Sequence, residues 1–493
     1  MTVETAVRTY MNLINGEWVS SISWLTFDSV NPADTSDVVG RFQASVAEDA
    51  VAAVEAADAA FAGWKSVAPS RRAEILYKAA ELLEANLERN AAELTREEGK
   101  TLASSRMEVK RSAQTLRYYA SEGLNVAGET LPSDDPTTFV YTKKEPLGVV
   151  TVITPWNFPI SIPARKIAPA LVTGNTVVFK PASDTPLIAF RLVEALHEAG
   201  LPAGVLNFVT GSASKTAAPL TTHPAVKAVT FTGSTGAGES IHRSVRLSTR
   251  VQLELGGKNP LVVLEDADLD HAAELAVKGG FELTGQACTG TSRVIVMDAV
   301  YDAFVGKLAA KAKALRIGSG LAAGVDVGPL ANASQLDNVL SYVAIGLEEG
   351  AELVCGGERL TEGEYASGYY VTPAVFAGVT PDMRIAQEEI FGPVIAVLRA
   401  GSLQEAVRIA NGVEYGLSAS ICTSDDTKMR YFVDHSESGM VKINRPTTGN
   451  AVNAPFGGVK MSSTATYRES GRGALEFYTR VKTVYHGIAP LKG

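Results

Sequence analysis

The sequence predicts an α/β protein of more than one domain, with parallel sheets covered by helices on both faces. Three observations predict it. At 493 residues the chain exceeds what one hydrophobic core usually supports, and 46% of its residues are apolar, enough for large cores. From Leu147 onward, short apolar runs rich in β-branched residues alternate with helical patterns. Strands that are apolar throughout are buried on both faces, the doubly wound arrangement, in which ligands sit at the strands' carboxyl ends.

Taken in order, the elements justify that reading. The segment from Ser70 to Gly99 reads as one long helix. Ser70 is its expected cap; Ile75, Ala79, Leu82, Leu83, Leu87, Ala91 and Leu94 fall at helical spacing, and Gly99 stops it. The expected strands are LGVVTVI, NTVVFK, VLNFVT, AVTFT, PLVVLED, RVIVM and VIAVL. Between NTVVFK and VLNFVT lies a helix with Thr185 as cap, Pro186 at its first position and Gly200 just past its end. No linker, low-complexity tract or long repeat interrupts the chain, so its domains are expected to interleave and pack rigidly.

Charge and cysteine content exclude several function classes. With 45 basic and 54 acidic residues the net charge is −9, and no basic tract is interleaved with aromatics, so nucleic acid is not an expected partner. The N-terminus lacks a secretory pattern, and no run reaches the roughly 18 apolar residues of a membrane span. A cytoplasmic protein with no membrane partner is expected. The cysteines Cys288, Cys355 and Cys422 have no close pairing, so neither a disulfide framework nor a metal site is expected.

Three stretches could carry chemistry. Thr284-Gly-Gln-Ala-Cys-Thr-Gly-Thr-Ser292 sets Cys288 among small residues, which leaves the backbone open enough for its own N–H to hold an oxyanion. A lone cysteine is otherwise more often inert and buried, the reading that Cys355 and Cys422 keep. Leu253-Glu-Leu-Gly-Gly-Lys-Asn-Pro260 ends an apolar strand on Glu254, where burial would raise the carboxyl toward the range of a base. A structural ion pair with a lysine is the alternative for that segment. Thr154-Pro-Trp-Asn-Phe-Pro159 follows the first strand, and the Asn157 amide suits a developing oxyanion, although the stretch is also simply a stiff turn.

Cofactor features lie nearby. Phe231-Thr-Gly-Ser-Thr-Gly-Ala-Gly238 joins a strand to a helix, so its N–H groups and the helix N-terminus could hold a pyrophosphate, though it matches neither common glycine-rich fingerprint. Lys180, at the end of NTVVFK, could reach ribose hydroxyls or merely be solvated. Glu388-Glu-Ile-Phe-Gly-Pro393 offers a carboxylate and a ring beside a tight turn.

In this order TPWNFP, FKPAS, FTGSTGAG, LELGGKNP, GQACTGTSR, EEIFGPV and NAPFGG resemble the signature set of the aldehyde dehydrogenase superfamily, from Asn15 to Tyr485. The resemblance implies an aldehyde dehydrogenase-like fold with a Rossmann-like cofactor domain (1–125 and 147–255), an α/β catalytic domain (256–456) and a small β oligomerisation extension (126–146 and 472–493). It implies Cys288 as nucleophile, Glu254 as general base, and Asn157 with the Cys288 N–H as oxyanion hole. Glu469, in YRESG, matches a glutamate that some members use in a proton relay. For the cofactor it implies Ile153, Thr154, Pro155 and Trp156 after the first strand. Lys180 and Glu389 would hold the riboses, Ser234 the pyrophosphate, and Phe391 would pack on the cofactor. Gly211, Phe231, Gly233, Gly238, Leu255 and Gly256 complete the implied cofactor site.

Ser183 stands three residues beyond Lys180, where NAD-specific relatives often carry a glutamate that repels a 2′-phosphate. NADP is therefore expected to be accepted, alongside or ahead of NAD. The strand-like Thr138 to Lys143 and the C-terminal VKTVY resemble the family's subunit-bridging strands and imply a homodimer or homotetramer.

The overall pattern is most similar to 2-oxoglutarate semialdehyde dehydrogenases. Arg165 matches an arginine that binds carboxylates in succinate semialdehyde dehydrogenases. Glu282, six residues before Cys288, stands where acid-semialdehyde enzymes usually have a second arginine. It would repel an acidic substrate or pair with Arg165, leaving a neutral-aldehyde pocket lined by Phe158 and Phe456. A CoA-acylating enzyme and a catalytically silent homologue are further alternatives, and the presence of Glu254 and Cys288 argues against both.

Overall fold

The computed structural model describes residues 7–464 and 466–488; the outer ends of the two terminal segments, 1–6 and 489–493, lie outside the described residues. Two seven-stranded sheets dominate. The first has the spatial order Arg250–Glu254, Val226–Thr232, Val149–Ile153, Thr176–Lys180, Leu206–Phe208, Asn12–Ile14 and Glu17–Val19. Its first five strands are parallel and the N-terminal hairpin closes one edge antiparallel. The strands Val149–Ile153 and Thr176–Lys180 are buried along their whole length, as their unbroken apolar runs require.

The second sheet runs Glu352–Cys355, Ala374–Val379, Val394–Ala400, Thr291–Met297, Asn259–Val263, Ser418–Cys422 and Met440–Ile443. All its pairings are parallel except that of the edge strand Glu352–Cys355. The first sheet places Val149–Ile153 beside Val226–Thr232, strands that are not consecutive in sequence. Chain order reverses there, which in doubly wound sheets is where ligands sit, beyond the carboxyl ends of the strands. A third sheet joins Thr130–Leu131, Thr138–Pro146 and Thr479–Gly487, the last two in nine antiparallel pairs.

Two local expectations need correction. The long helix is two helices, Pro69–Ala85 and Leu87–Glu98, and Ala68, not Ser70, occupies the cap position, with Pro69 at the first turn. The break is at Asn86, whose backbone (φ −105°, ψ 21°) leaves the helical region while its Nδ2 donates to the Leu82 carbonyl at 2.9 Å. A local side-chain bond of this kind competes with the helix, and apolar periodicity alone does not register it. The helix Pro186–Glu198 has its predicted bounds, but the Thr185 hydroxyl makes no cap bond. The expected domain ranges left out residues 457–471, and this segment returns to the junction of the two large sheets. Ser463 bridges to Glu254, and Glu469 bridges to Phe456.

No helix among the described residues is long and apolar enough to cross a membrane.

Candidate active site

Three segments meet where the carboxyl ends of the first sheet's strands face the amino end of the strand Thr291–Met297 in the second. The first strand ends at Ile153 and runs into Thr154, Pro155, Trp156, Asn157 and Phe158 before the helix Ser161–Val172. That loop is held from beneath. Lys100 Nζ donates to the Asn157 carbonyl at 2.6 Å and to Glu108 at 2.7 Å, while Glu108 accepts the Ile160 and Ser161 N–H groups at 3.2 Å each. Both charged side chains are buried, so the pair is a fixed strut. Nothing in the sequence pattern had singled out Lys100 or Glu108.

The second segment carries Cys288. Leu283, Thr284 and Gly285 take left-handed backbone angles in succession (φ 57°, 55° and 71°), two of them without glycine's freedom. This turn aims the nucleophile loop at Asn157, whose Nδ2 donates to the Gln286 carbonyl at 2.9 Å. The second amide hydrogen of Asn157 stays free, and among the described residues the Cys288 N–H donates no hydrogen bond. Two donors are thus open to an oxyanion. Cys288 is partly exposed, but the protein around it pushes its thiol up to about 12 by burial, with Arg165 acting the other way.

The third segment brings Glu254 to the end of its strand. Its Oε1 accepts from Ser463 Oγ at 3.1 Å, and its buried Oε2 has no partner. Burial raises its pKa well above the carboxylate range, repulsion by Glu469 adds to this, and Lys166 opposes it. Glu469 lies 3.7 Å from Lys166 and 3.8 Å from Arg165, and Lys166 Nζ donates to Thr230 Oγ1 at 2.9 Å. Glu469, Lys166 and Thr230 therefore form a buried polar chain, and Glu254 lies within electrostatic reach of its first two members. Lys166 and Ser463 were not anticipated, because a lysine in an apolar helix and a serine in a loop carry no signal of their own.

The predicted cofactor residues surround the point of reversal. Lys180 ends its strand, where burial brings its ammonium down to about 8 and the Pro181 carbonyl takes only one of its hydrogens, at 2.9 Å. Ser183 is exposed and donates to the carbonyl of Gly211 at 3.2 Å. Phe231 pairs with Leu253 one residue before its strand ends at Thr232 beside Glu254, Gly233 follows, Ser234 caps the helix Thr235–Ser244 without using its side chain, and Gly238 is buried in that helix. Leu255 N–H donates to the Ser462 carbonyl at 2.8 Å.

Glu389 Oε1 accepts the Gly257 N–H at 2.9 Å, and burial raises its carboxyl to about 7. A Cβ on Gly256 would stand 2.2 Å from Glu389 Oε2, so only glycine admits that carboxylate. Trp156 and Phe391 meet edge to face at 5.4 Å. The buried hydroxyls of Thr154 and Thr232 have no partner. Free hydroxyls, an uncapped helix start, an ammonium with spare hydrogens and a carboxylate fit a dinucleotide's phosphates and riboses.

The expected substrate residues are brought together only in part. The Arg165 guanidinium lies 5.1 Å over the Phe456 ring, and Phe158 lies under Lys100 at 4.7 Å. Glu282 does not pair with Arg165. It follows the helix Leu269–Phe281, makes no ion pair among the described residues, and is raised by burial against the single opposing influence of Lys278.

A sequence model described as "Aldehyde dehydrogenase family" matches residues 18–484. The chain is 49% identical to the alpha-ketoglutaric semialdehyde dehydrogenase of Bacillus subtilis, over 98% of this chain and 99% of that one. It is 45% identical to the 2,5-dioxopentanoate dehydrogenase of Saccharolobus solfataricus, over 98% and 100%. Among solved structures, betaine aldehyde dehydrogenase of Staphylococcus aureus in complex with NAD+ matches with a TM-score of 0.95 at 33% identity, covering 98% of this chain and 96% of that chain.

Proposed function

The chain belongs to the aldehyde dehydrogenase family and is an NAD(P)-dependent oxidoreductase of small-molecule aldehydes, and we propose that its substrate is a short acidic semialdehyde of the 2-oxoglutarate semialdehyde type. One observation carries the choice of an acid. The Arg165 charge favours the Cys288 thiolate, its Nε has no hydrogen-bond partner, and its carboxylate neighbour Glu469 stands off at 3.8 Å. A guanidinium so loosely held beside the nucleophile is open to a substrate carboxylate. The names of the two relatives support the same class.

In the proposed mechanism Cys288 gives up its proton to solvent, and the thiolate attacks the aldehyde carbon. The oxygen's new charge meets the Cys288 N–H and the free Asn157 amide hydrogen. A bound nicotinamide supplies the hydride acceptor. Trp156, Thr154, Lys180, Ser234, Glu389 and Phe391 would hold and orient the dinucleotide. Glu254 then takes a proton from the water that hydrolyses the Cys288 thioester, and Glu469 with Lys166 passes it onward. The neutral Ser183 leaves room for a 2′-phosphate, so NADP serves as well as NAD. The exposed strands of the small sheet support a homodimer or homotetramer.

The test is an aldehyde panel that compares kcat/KM for 2,5-dioxopentanoate with that for pentanal, in the wild type and in Arg165→Ala. Charge recognition worth about 1.5 kcal/mol lowers the acidic-to-neutral ratio roughly tenfold in the variant. A ratio that does not move would leave a broad neutral-aldehyde enzyme instead.

A further inference from the structure

Six residues before the nucleophile the chain carries an acid, Glu282, so Arg165 would face a substrate carboxylate alone unless another element supplies a second cation. The helix Leu102–Glu122 does so. Its Glu108 docks on the start of the helix Ser161–Val172, accepting from Ile160 and Ser161. Arg111 lies one turn beyond Glu108 on the same face, and Arg165 one turn beyond Ser161. We propose that Arg111 is a second anion-binding group of the substrate pocket, acting with Arg165 and Asn450 on the carboxylate and 2-oxo end of the semialdehyde; this rests on the acidic-substrate reading above.

The donors around this point are unspent. Arg111 is half-buried and among the described residues has no ion pair; one of its nitrogens donates to the carbonyl of Asn450 and, at 3.3 Å, to that residue's Oδ1. Asn450 Nδ2 is buried with no partner, and so is Arg165 Nε. Lys442 fixes the loop that presents Asn450, donating to the Thr447 and Thr448 carbonyls at 2.6 Å each and to Gly449 at 2.5 Å. Burial lowers the pKa of Arg111, and the like charge of Arg165 lowers it further, which places the two guanidinium groups within electrostatic reach of each other. Two like charges within electrostatic reach, only one of them with a carboxylate close by, are an unfavourable arrangement that a bound anion relieves. A 2-oxo acid presents three acceptor oxygens to these donors, and a neutral aldehyde tail presents none.

Arg111→Gln separates this role from simple anchoring of the loop, since the amide can still donate to the Asn450 carbonyl while the charge is gone. Steady-state rates at saturating NADP are measured for 2,5-dioxopentanoate and pentanal in the wild type, Arg111→Gln, Arg111→Lys and Arg165→Ala. Arg111→Gln is expected to lower the acidic-to-neutral ratio of kcat/KM at least tenfold, mainly through KM, and Arg111→Lys to recover most of the loss. An equal loss on both substrates, or a ratio within twofold of wild type, overturns the proposal and leaves Arg111 as a loop anchor. If Arg165→Ala moves the ratio and Arg111→Gln does not, this proposal alone fails. If neither variant moves it and the wild type shows no acid preference, the acidic-substrate reading fails with it.

Discussion

Cys288 and Glu254 face the same difficulty, since each must lose a proton in surroundings that favour the neutral form. Burial holds the thiol near 12 and the carboxyl well above its usual range, so each resists losing its proton. The sign follows directly. A base whose pKa is raised works only in its deprotonated fraction, so hydrolysis of the thioester speeds up as pH rises through the Glu254 value. Glu254→Gln removes that group and nearly conserves its shape. In rapid mixing it is expected to give a burst of reduced cofactor, then to stall on the thioester with a steady rate at least a hundredfold lower, on the order of a positioned base's contribution. Its remaining turnover should also lose the alkaline rise of the wild type. Wild-type steady turnover in Glu254→Gln, with the pH profile intact, would remove it from the base role. The sequence singled both residues out as a cysteine among small neighbours and a carboxylate at a strand end, and it was the family resemblance that gave them their roles. The groups around Glu254 were not singled out, because Lys166 and Ser463 acquire meaning only through contacts far along the chain.

At the level of elements, the loop that carries Asn157 depends on how two helices dock. Lys100 and Glu108 are almost fully buried and together satisfy the Asn157 carbonyl and the first N–H groups of the next helix. Removing Glu108 leaves buried Lys100 with only Glu98, 3.8 Å away, and leaves the Ile160 and Ser161 N–H groups unpaired, at a cost of up to about 3–5 kcal/mol. Glu108→Ala is therefore expected to lower the thermal unfolding midpoint by several degrees and to reduce kcat, because the oxyanion donor loses its support. A variant with unchanged midpoint and kcat would show that the strut is dispensable. Sequence patterning reads such elements unevenly. The fully apolar strands announced themselves, and so did the helix after Thr185, where Pro186 fixes the start. The break at Asn86 did not, since one side-chain bond to Leu82 outweighs a periodicity that runs straight through it.

For the whole molecule, alternation of strand and helix foretold parallel sheets, yet the order of strands and the return of residues 457–471 to Glu254 depend on long-range packing that no local pattern encodes. The third sheet raises a different question, that of what covers it. Its outer strand Thr479–Gly487 pairs on one side only, with Thr138–Pro146, and the far edge is the two-residue Thr130–Leu131. Val481 is 63% exposed and Tyr485 74%, with Phe139, Leu131 and Ile488 also open to solvent on or beside the same sheet. A long unpaired strand edge bearing apolar side chains is an aggregation hazard unless a defined partner takes it, and a second copy of the chain offers the same edge. Light scattering of the wild type should therefore report a dimer or tetramer. Placing aspartate at both Val481 and Tyr485 should shift the mass toward the monomer, because like charges would meet across a symmetric contact. A monomeric wild type would show that the edge needs no partner, and an unshifted double variant would place the contact elsewhere on the surface.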